Sequence, residues 1–455
     1  MHIRIRSRNL DGLGQLGSLR GDVDALQEDY SKALSSLGLT DVDGLAVFRT
    51  QDPRAELGIV IEAASELTLE LKEEFVLDEV FDDYCVYSGV TSMPVWQEGE
   101  PPFTSDGGGW VFEDGAPVLQ GWEDASVIVT VPRESASLFP TVVFSRTGGG
   151  GDRPLVDRGP VTAAGAEPET PGAGPALHFA RAGYAEVSID GPHGGLRNVS
   201  GADEQFLMFN VLNPVAMRDN VRQSAVELAI APLLVDELVI DSRDCPGASE
   251  ESRLEARVLM GHSMGATIAP LAVVPGGYEA MVLSGAGGSW TENVVHKQSP
   301  IEVRPIAEAM LGVEDLDEFD PVLNLLQWAG ESADPPVYGR DIVDAGVHVL
   351  MLQGIVDTYI LPPIANATSL GLELDLGGDP LEEDLVYEPL GSLLSWSGAE
   401  HVELPFRGDP VTRVVVQHPE DGILDGHEVV FQSEAPKLQL EHFLETLAEG
   451  VPEVQ

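Results

Sequence analysis

Residues 261–265 read Gly-His-Ser-Met-Gly and place one serine between two glycines. The apolar run ARVLM precedes the motif and the small residues ATIAPLA follow it, so Ser263 is predicted to lie where a strand turns into a helix. So sharp a turn requires glycine at its flanking positions and exposes the serine hydroxyl above the sheet. Because a neutral imidazole can turn such a hydroxyl into a nucleophile, the motif predicts acyl transfer through Ser263.

The helix that follows the motif predicts a second part of the site. Its positive N-terminal end points at Ser263, and the amide of Met264 has no acceptor within the first helical turn. Acyl transfer develops a negatively charged oxygen that needs hydrogen-bond donors. We therefore predict that Met264 N–H is one of these donors.

Strand-like and helical segments alternate along most of the chain and must position this serine. The predicted strands are 126–132, 139–146, 184–190, 256–263, 278–288, 347–357 and 412–419, and the longest predicted helices are 221–238 and 435–450. The strands are apolar without alternation, which is typical of strands covered on both faces. Alternating strands and helices predict a doubly wound α/β domain with a mostly parallel sheet.

With its strand, turn and helix, the GHSMG motif resembles the nucleophile elbow of the α/β-hydrolase superfamily, in particular that of bacterial lipases, cutinases and polyester-degrading esterases. The resemblance covers about residues 122–450 and implies a serine esterase or lipase, possibly active on polyesters, that needs no cofactor. It also implies a catalytic serine, acid and histidine in that order along the chain.

The resemblance indicates which acid and histidine would serve. Asp357 follows a predicted strand that ends in Gln-Gly, like the acid of the superfamily, although an ordinary loop aspartate is the alternative. Two histidines compete for the third role: His418 at the end of the last strand, and His427 just before the final helix. The position before the final helix favours His427. Cation binding by the aspartate-rich loop around His427 is a further alternative, but its spacing matches no EF-hand.

The resemblance also indicates where the second oxyanion donor lies. Residues 146–151 read RTGGGG and occupy the place of the superfamily's HG or HGGG loop, with arginine and threonine where histidine is usual. The glycines permit close backbone approach, so Thr147 or Gly148 is the expected donor. A flexible surface loop is the alternative interpretation.

The pattern divides the chain into an N-terminal extension, residues 1–121, expected to pack on a catalytic domain of residues 122–455. Residues 289–346 interrupt the alternation with apolar helices after a strand end, so we expect them to form a lid over the site. Trp290 and Trp328 in this segment could line an apolar acyl pocket, although each is more often plain core.

Charge excludes several functions. The 76 acidic and 25 basic residues give a net charge of -51, which repels nucleic acid and anionic membranes. No stretch reaches the roughly 18 apolar residues of a membrane span. An acidic surface with only four lysines is typical of a halophilic or marine source.

Two cysteines, Cys85 and Cys245, are too few for a thiolate metal site, and no metal site is predicted. They could form one disulfide in an exported protein or remain two buried thiols. No signal peptide is recognised at the start, yet a secreted or periplasmic location is suspected. The competing functions are a serine peptidase or amidase with the same triad, and a catalytically inactive hydrolase fold used for binding.

The charge leads to a prediction about salt. Like charges repel over the Debye length, which falls from ~30 Å at ~0.01 M salt to ~3 Å at ~1 M. Because 25 cations cannot pair with 76 acids, salt should relieve repulsion in the folded chain. We expect the melting temperature to rise between about 0.05 M and about 2 M sodium chloride, with potassium chloride acting alike. A flat or falling melting temperature would remove the halophile interpretation.

Overall fold

The computed structural model describes residues 3–4, 35, 45–46, 52–149, 151–382 and 386–455. The chain forms two units, Met1–Pro53 and Arg54–Gln455. In the first unit, the short strands Ile3–Arg4 and Leu45–Ala46 pair antiparallel. Most of the predicted extension before residue 52 lies outside the described residues.

The second unit is built on one large sheet. Its strands are β1 Leu71–Val80, β2 Tyr84–Val95, β3 Gly121–Pro132, β4 Leu138–Ser145, β5 Ala185–Ile189, β6 Val239–Asp241, β7 Glu251–His262, β8 Ala280–Ser284, β9 His348–Ile355, β10 Asp375–Gly377, β11 His401–Val402 and β12 Arg413–Pro419. Their order is β11-β10-β12-β9-β8-β7-β4-β5-β3-β2-β1, with β6 paired to β7. Neighbours from β11 to β5 are parallel, while β1, β2, β3 and β6 pair antiparallel.

The helices lie between the strands along the chain. They are α1 Ala55–Ser65, α2 Pro154–Asp157, α3 Pro175–Arg181, α4 Glu204–Met208, α5 Pro214–Val235, α6 Met264–Ala272, α7 Trp290–His296, α8 Val303–Leu311, α9 Pro321–Gly330, α10 Gly339–Ala345, α11 Pro362–Gly371, α12 Leu390–Leu393, α13 Val429–Gln432 and α14 Glu434–Leu447. Short 3₁₀ turns occupy Gly195–Arg197, Glu331–Ala333, Pro335–Tyr338, Leu394–Trp396 and Gly426–Glu428. None of the described helices is both long and apolar enough to span a bilayer.

Apolar side chains cover both faces of the sheet. Along β7, Leu259 belongs to one buried cluster while its neighbours Val258 and Met260 belong to the other. Buried residues of α5, α6 and α11 join the first cluster, and those of α3 and α14 join the second. This arrangement explains why the strands read as continuous apolar runs, and it confirms the predicted doubly wound α/β domain with a mostly parallel sheet.

Two features of the fold bear on the predicted domain division, which stays a prediction. The main compact unit begins at Arg54, since β2 pairs with β3 from Tyr84 to Val95 and adds β1 to the sheet. Part of the predicted lid also belongs to the core: Ala333 and Ile342 are fully buried. A parallel connection from β8 to β9 needs a crossover, and α10 supplies it.

The two cysteines form a buried disulfide. Cys85 lies on β2 and Cys245 in the turn between β6 and β7, and the bond joins them across 160 residues of chain. It thereby ties an antiparallel strand to the parallel part of the sheet.

Glu186 leads to a prediction about pH. It lies in the interior on β5, and one of its carboxylate oxygens has no hydrogen-bond partner among the described residues. Burial raises the pKa of Glu186 from 4.5 to about 8. Between these values the folded chain binds a proton that the unfolded chain has released, so stability falls as pH rises.

We therefore expect Glu186→Gln to melt like the wild type near about pH 4 and several degrees higher at about pH 8, because the amide stays neutral. Thermal melts across this pH range provide the measurement. Glu113→Gln, at an exposed position, is the matched control and should show no such trend. A difference in melting temperature between Glu186→Gln and the wild type that does not change with pH would contradict the raised pKa of Glu186.

Candidate active site

Ser263 lies on a strained turn between β7 and α6. Its backbone angles are φ 54° and ψ -118°, in a region that non-glycine residues rarely adopt. The two flanking glycines are sterically required. A Cβ atom on Gly261 would lie 2.4 Å from the carbonyl oxygen of Gly265, and one on Gly265 would lie 2.2 Å from that of Ser145. The backbone amide of Ser263 donates to the carbonyl oxygen of Ser284 at 2.9 Å, which joins the turn to the end of β8.

The structure brings the predicted acid and histidine together. His427 Nδ1 and Asp357 Oδ2 are 2.8 Å apart, and both side chains are buried. Asp357 follows the end of β9, and its other oxygen accepts hydrogen bonds from the amides of Tyr359 and Ile360, each at 2.7 Å. These bonds fix the carboxylate, so one oxygen faces the backbone and the other faces the imidazole.

A second aspartate joins the two loops that carry this pair. Asp425 accepts hydrogen bonds from the hydroxyl of Thr358 at 2.7 Å and from the amide of His427 at 2.9 Å. The loops also pack closely, since a Cβ on Gly354 would lie 1.7 Å from the carbonyl oxygen of Gly426. Gly426 is required as well, because a Cβ there would lie 2.5 Å from the carbonyl oxygen of Ile355.

The imidazole of His427 is held beside the serine turn. Tyr359 stacks on it with ring centroids 4.7 Å apart and planes at 18°. His262, the residue before Ser263, lies on another side at 4.9 Å. Gly285 leaves room for the ring, because a Cβ there would lie 2.7 Å from His427 Cε1. Burial and His427 lower the pKa of His262 well below its usual range, which keeps this neighbour neutral.

His418 has a different environment from His427. It is buried on β12, where its register partner is Gly354, and burial lowers its pKa to about 4. Its Nε2 atom has no hydrogen-bond partner in the part of the chain that the structure describes. The contact with Asp357 therefore belongs to His427 and not to His418.

The segment predicted to carry the second oxyanion donor begins against the serine turn. The carbonyl oxygens of Ser145 and Arg146 are the atoms that a Cβ on Gly265 would meet. Thr147 is buried, and a Cβ on Gly148 would lie 2.3 Å from Gln205 Cγ. The structure thus places Thr147 and Gly148 between the serine turn and α4, while Met264 opens α6 directly after Ser263.

The predicted lid joins the loop that bears Asp357. The amides of Gln298 and Ser299 donate to the carbonyl oxygen of Thr358 at 3.3 and 2.9 Å. Lys297 Nζ donates to the carbonyl oxygen of Tyr359 at 2.9 Å. Residues 297–299 therefore lie against the acid-bearing loop, and coverage of the site by the rest of the segment stays a prediction.

The two tryptophans occupy different positions in this segment. Trp290 opens α7, donates to the carbonyl oxygen of Gly330 at 2.9 Å and meets Phe209 edge-to-face with centroids 6.5 Å apart. Trp328 lies on α9 and is 57% exposed. Their predicted role as substrate contacts stays a prediction.

Some residues of the site were not identified from the sequence. Asp425 precedes the turn that contains His427 and caps it, so an aspartate two residues before a predicted catalytic histidine was an available signal. Stacking by Tyr359 depends on the fold and had no local signal. Within the described ranges, no group of three or more His, Cys, Asp or Glu side chains could hold a metal ion.

No protein-family model and no curated protein matches this chain. Several solved structures are similar to it. An acetyl xylan esterase from Paenibacillus sp. R4 shares 14% identity over 72% of this chain and 86% of its own, with a TM-score of 0.41. A CE15 glucuronoyl esterase from Teredinibacter turnerae T7901 shares 12% over 93% and 100%, with a TM-score of 0.40. A thermostable esterase from Pseudomonas putida ECU1011 shares 11% over 92% and 94%, with a TM-score of 0.35. Likenesses at these identities say nothing about activity.

Proposed function

We propose that this chain is a serine hydrolase that cleaves carboxylic esters through an acyl-enzyme, with Ser263, Asp357 and His427 as its catalytic residues. The observation that carries the proposal is the buried contact of 2.8 Å between His427 and Asp357, beside a strained serine turn. A residue held at positive φ between two sterically required glycines costs stability, and such strain is concentrated at functional sites.

In the first half of the reaction, Ser263 Oγ attacks the ester carbonyl carbon while His427 takes its proton. Asp357 binds Nδ1 of the imidazole, which leaves Nε2 as the nitrogen that accepts the proton. Asp357 also stabilises the imidazolium that forms. Because His262 stays neutral, it adds no second positive charge next to that imidazolium.

The tetrahedral intermediate carries its negative charge on the former carbonyl oxygen. Met264 N–H and an amide from Thr147 or Gly148 would donate to this oxygen. When the intermediate collapses, the carbon–oxygen bond to the alcohol breaks and His427 returns the proton to the leaving oxygen. Water then attacks the acyl-enzyme with His427 as base, which releases the carboxylic acid and restores Ser263.

We favour ester hydrolysis over amide hydrolysis and over an inactive binding role. An inactive binding module has no use for a serine, an acid and a histidine all in place. A prolyl-oligopeptidase-like peptidase carries a propeller with blades of ~40–45 residues each, and no such repeat occurs in this sequence. A panel of nitrophenyl esters and anilides with graded acyl length distinguishes esterase, lipase and amidase activity.

One prediction of this mechanism concerns Ser263. Replacing it with alanine removes the nucleophile, so we expect kcat for a nitrophenyl ester to fall by at least ~10⁴-fold. The melting temperature should not fall, because alanine fits the same turn. Fluorophosphonate labelling followed by peptide mass spectrometry should place the modification on Ser263. Labelling at another residue would refute the nucleophile assignment.

Another prediction of this mechanism compares the two histidines. We expect His427→Ala to reduce kcat by ~10³-fold or more, because the general base is lost. His418→Ala should change kcat little, since His418 is buried on β12 away from Asp357. Initial rates normalised to the folded fraction provide the measurement. The reverse order of effects would assign the base to His418.

A further inference from the structure

We propose that Arg146 is a positioning residue for the second oxyanion donor, and that Asp190 and Glu204 hold its guanidinium for this purpose. The inference rests on the proposed function, because it concerns how residues 146–148 keep their place beside Ser263. Arg146 itself is not assigned any contact with the substrate.

The guanidinium of Arg146 is almost fully enclosed by carboxylates. Nε lies 3.1 Å from Oε1 and 3.0 Å from Oε2 of Glu204, and Nη2 lies 2.6 Å from Oε1. Nη1 donates to Asp190 at 2.9 Å. These three side chains are only 10%, 12% and 3% exposed, whereas Asp152, a further partner at 3.2 Å, is 67% exposed. Several donors in one plane fix the direction of a guanidinium as a single ammonium cannot.

Two glycines leave room for this cluster. A Cβ on Gly194 would lie 2.4 Å from Arg146 Nε, and one on Gly195 would lie 2.1 Å from a carboxylate oxygen of Asp190. Asp190 is itself fixed, because its second oxygen accepts hydrogen bonds from the amides of Ser126 at 3.1 Å and Leu196 at 2.9 Å. The carboxylate that holds Arg146 is therefore anchored to β3 and to the turn after β5.

The same cluster reaches the backbone that would supply the donor. Glu204 begins α4, and the next residue, Gln205, packs against Gly148. The short helix α4 thus binds the side chain of Arg146 through Glu204. Through Gln205 it packs on the backbone of Gly148, two residues after Arg146. Thr147 lies between these points, and within the described residues its buried hydroxyl has no hydrogen-bond partner. Its placement therefore depends on its two neighbours and not on its own side chain.

This geometry predicts a specific kinetic effect. An oxyanion donor stabilises the transition state more than the bound ester, so a displaced donor lowers kcat and leaves KM nearly unchanged. Complete loss of one such donor costs ~10²–10³-fold in kcat. Glu204→Gln keeps the shape of the side chain but removes its charge, and we expect kcat to fall by roughly 10–100-fold. Arg146→Lys should have a similar effect, because an ammonium cannot span Glu204 and Asp190 in the same plane.

The experiment uses the full chain as wild type, Arg146→Lys, Glu204→Gln and the control Glu279→Gln. Glu279 pairs with Arg257 just before β8 begins, at the opposite end of that strand from Ser284. Four quantities are measured: fluorophosphonate labelling of Ser263, kcat and KM for a nitrophenyl ester, inhibition by a trifluoromethyl ketone, and the melting temperature. The ketone forms a tetrahedral adduct that needs the same donors as the transition state.

The proposal predicts a lower kcat, an unchanged KM and weaker ketone inhibition in both test variants. Within each variant, kcat and the strength of ketone inhibition should fall by the same factor. The control Glu279→Gln should be unchanged in every quantity. Unchanged kcat in the folded variants would overturn it, as would a loss of activity that only follows the folded fraction or an equal loss in the control. Failure of the wild type to be labelled at Ser263 would instead refute the proposed function, so the two failures are distinguishable.

Discussion

The close backbone contact at the serine turn is the constraint on which the rest of the site depends. With no Cβ on Gly265, the carbonyl oxygen of Ser145 can lie at a distance that no other residue would permit. This contact brings the end of β4 against the start of α6, and the hydrogen bond from Ser263 to Ser284 adds the end of β8. The proposed nucleophile and the segment proposed to carry the second donor are therefore positioned together by packing of the sheet and not by flexible loops.

In this acid-rich chain, some of the few cations lie in the interior and pair with buried carboxylates. The chain has 25 cations, only four of them lysines, and several arginines lie in the interior beside buried carboxylates. Arg146 holds Asp190 and Glu204, and Arg197 donates to both oxygens of Glu227 at 2.6 and 2.9 Å. A planar guanidinium satisfies a buried carboxylate at two points, which a lysine cannot do. Arg146 and Arg197 thus each hold buried acids in the interior through more than one hydrogen bond.

Short sequence patterns were sufficient to predict the parts of the structure that neighbouring residues determine. The glycines around Ser263, the strand end before Asp357 and the position of His427 before the last helix each predicted a place in the fold. Strand β1 was missed because seven of its ten residues are exposed and none is buried, so it lacks a continuous apolar run. The cluster around Arg146 joins residues 44 and 58 positions apart, and no spacing rule connects them. Polar networks of this kind follow from the fold and are not visible as motifs.

The insertion after β8 divides into parts with different freedom. Ala333, Tyr338 and Ile342 belong to the core, and residues 297–299 are hydrogen-bonded to the loop that follows Asp357. Burial of the Lys297 ammonium, which donates to Tyr359, lowers the pKa of Lys297 to about 8, so this attachment is partly desolvated. A movement of the whole segment would therefore pull on Tyr359 and, through its stacked ring, on His427. Helices α8 and α9 contribute few buried residues and present Met310 and Leu325 to solvent, so they are held less tightly than residues 297–299. If the segment covers Ser263 as predicted, these two helices are the part that can move without displacing Tyr359 and His427.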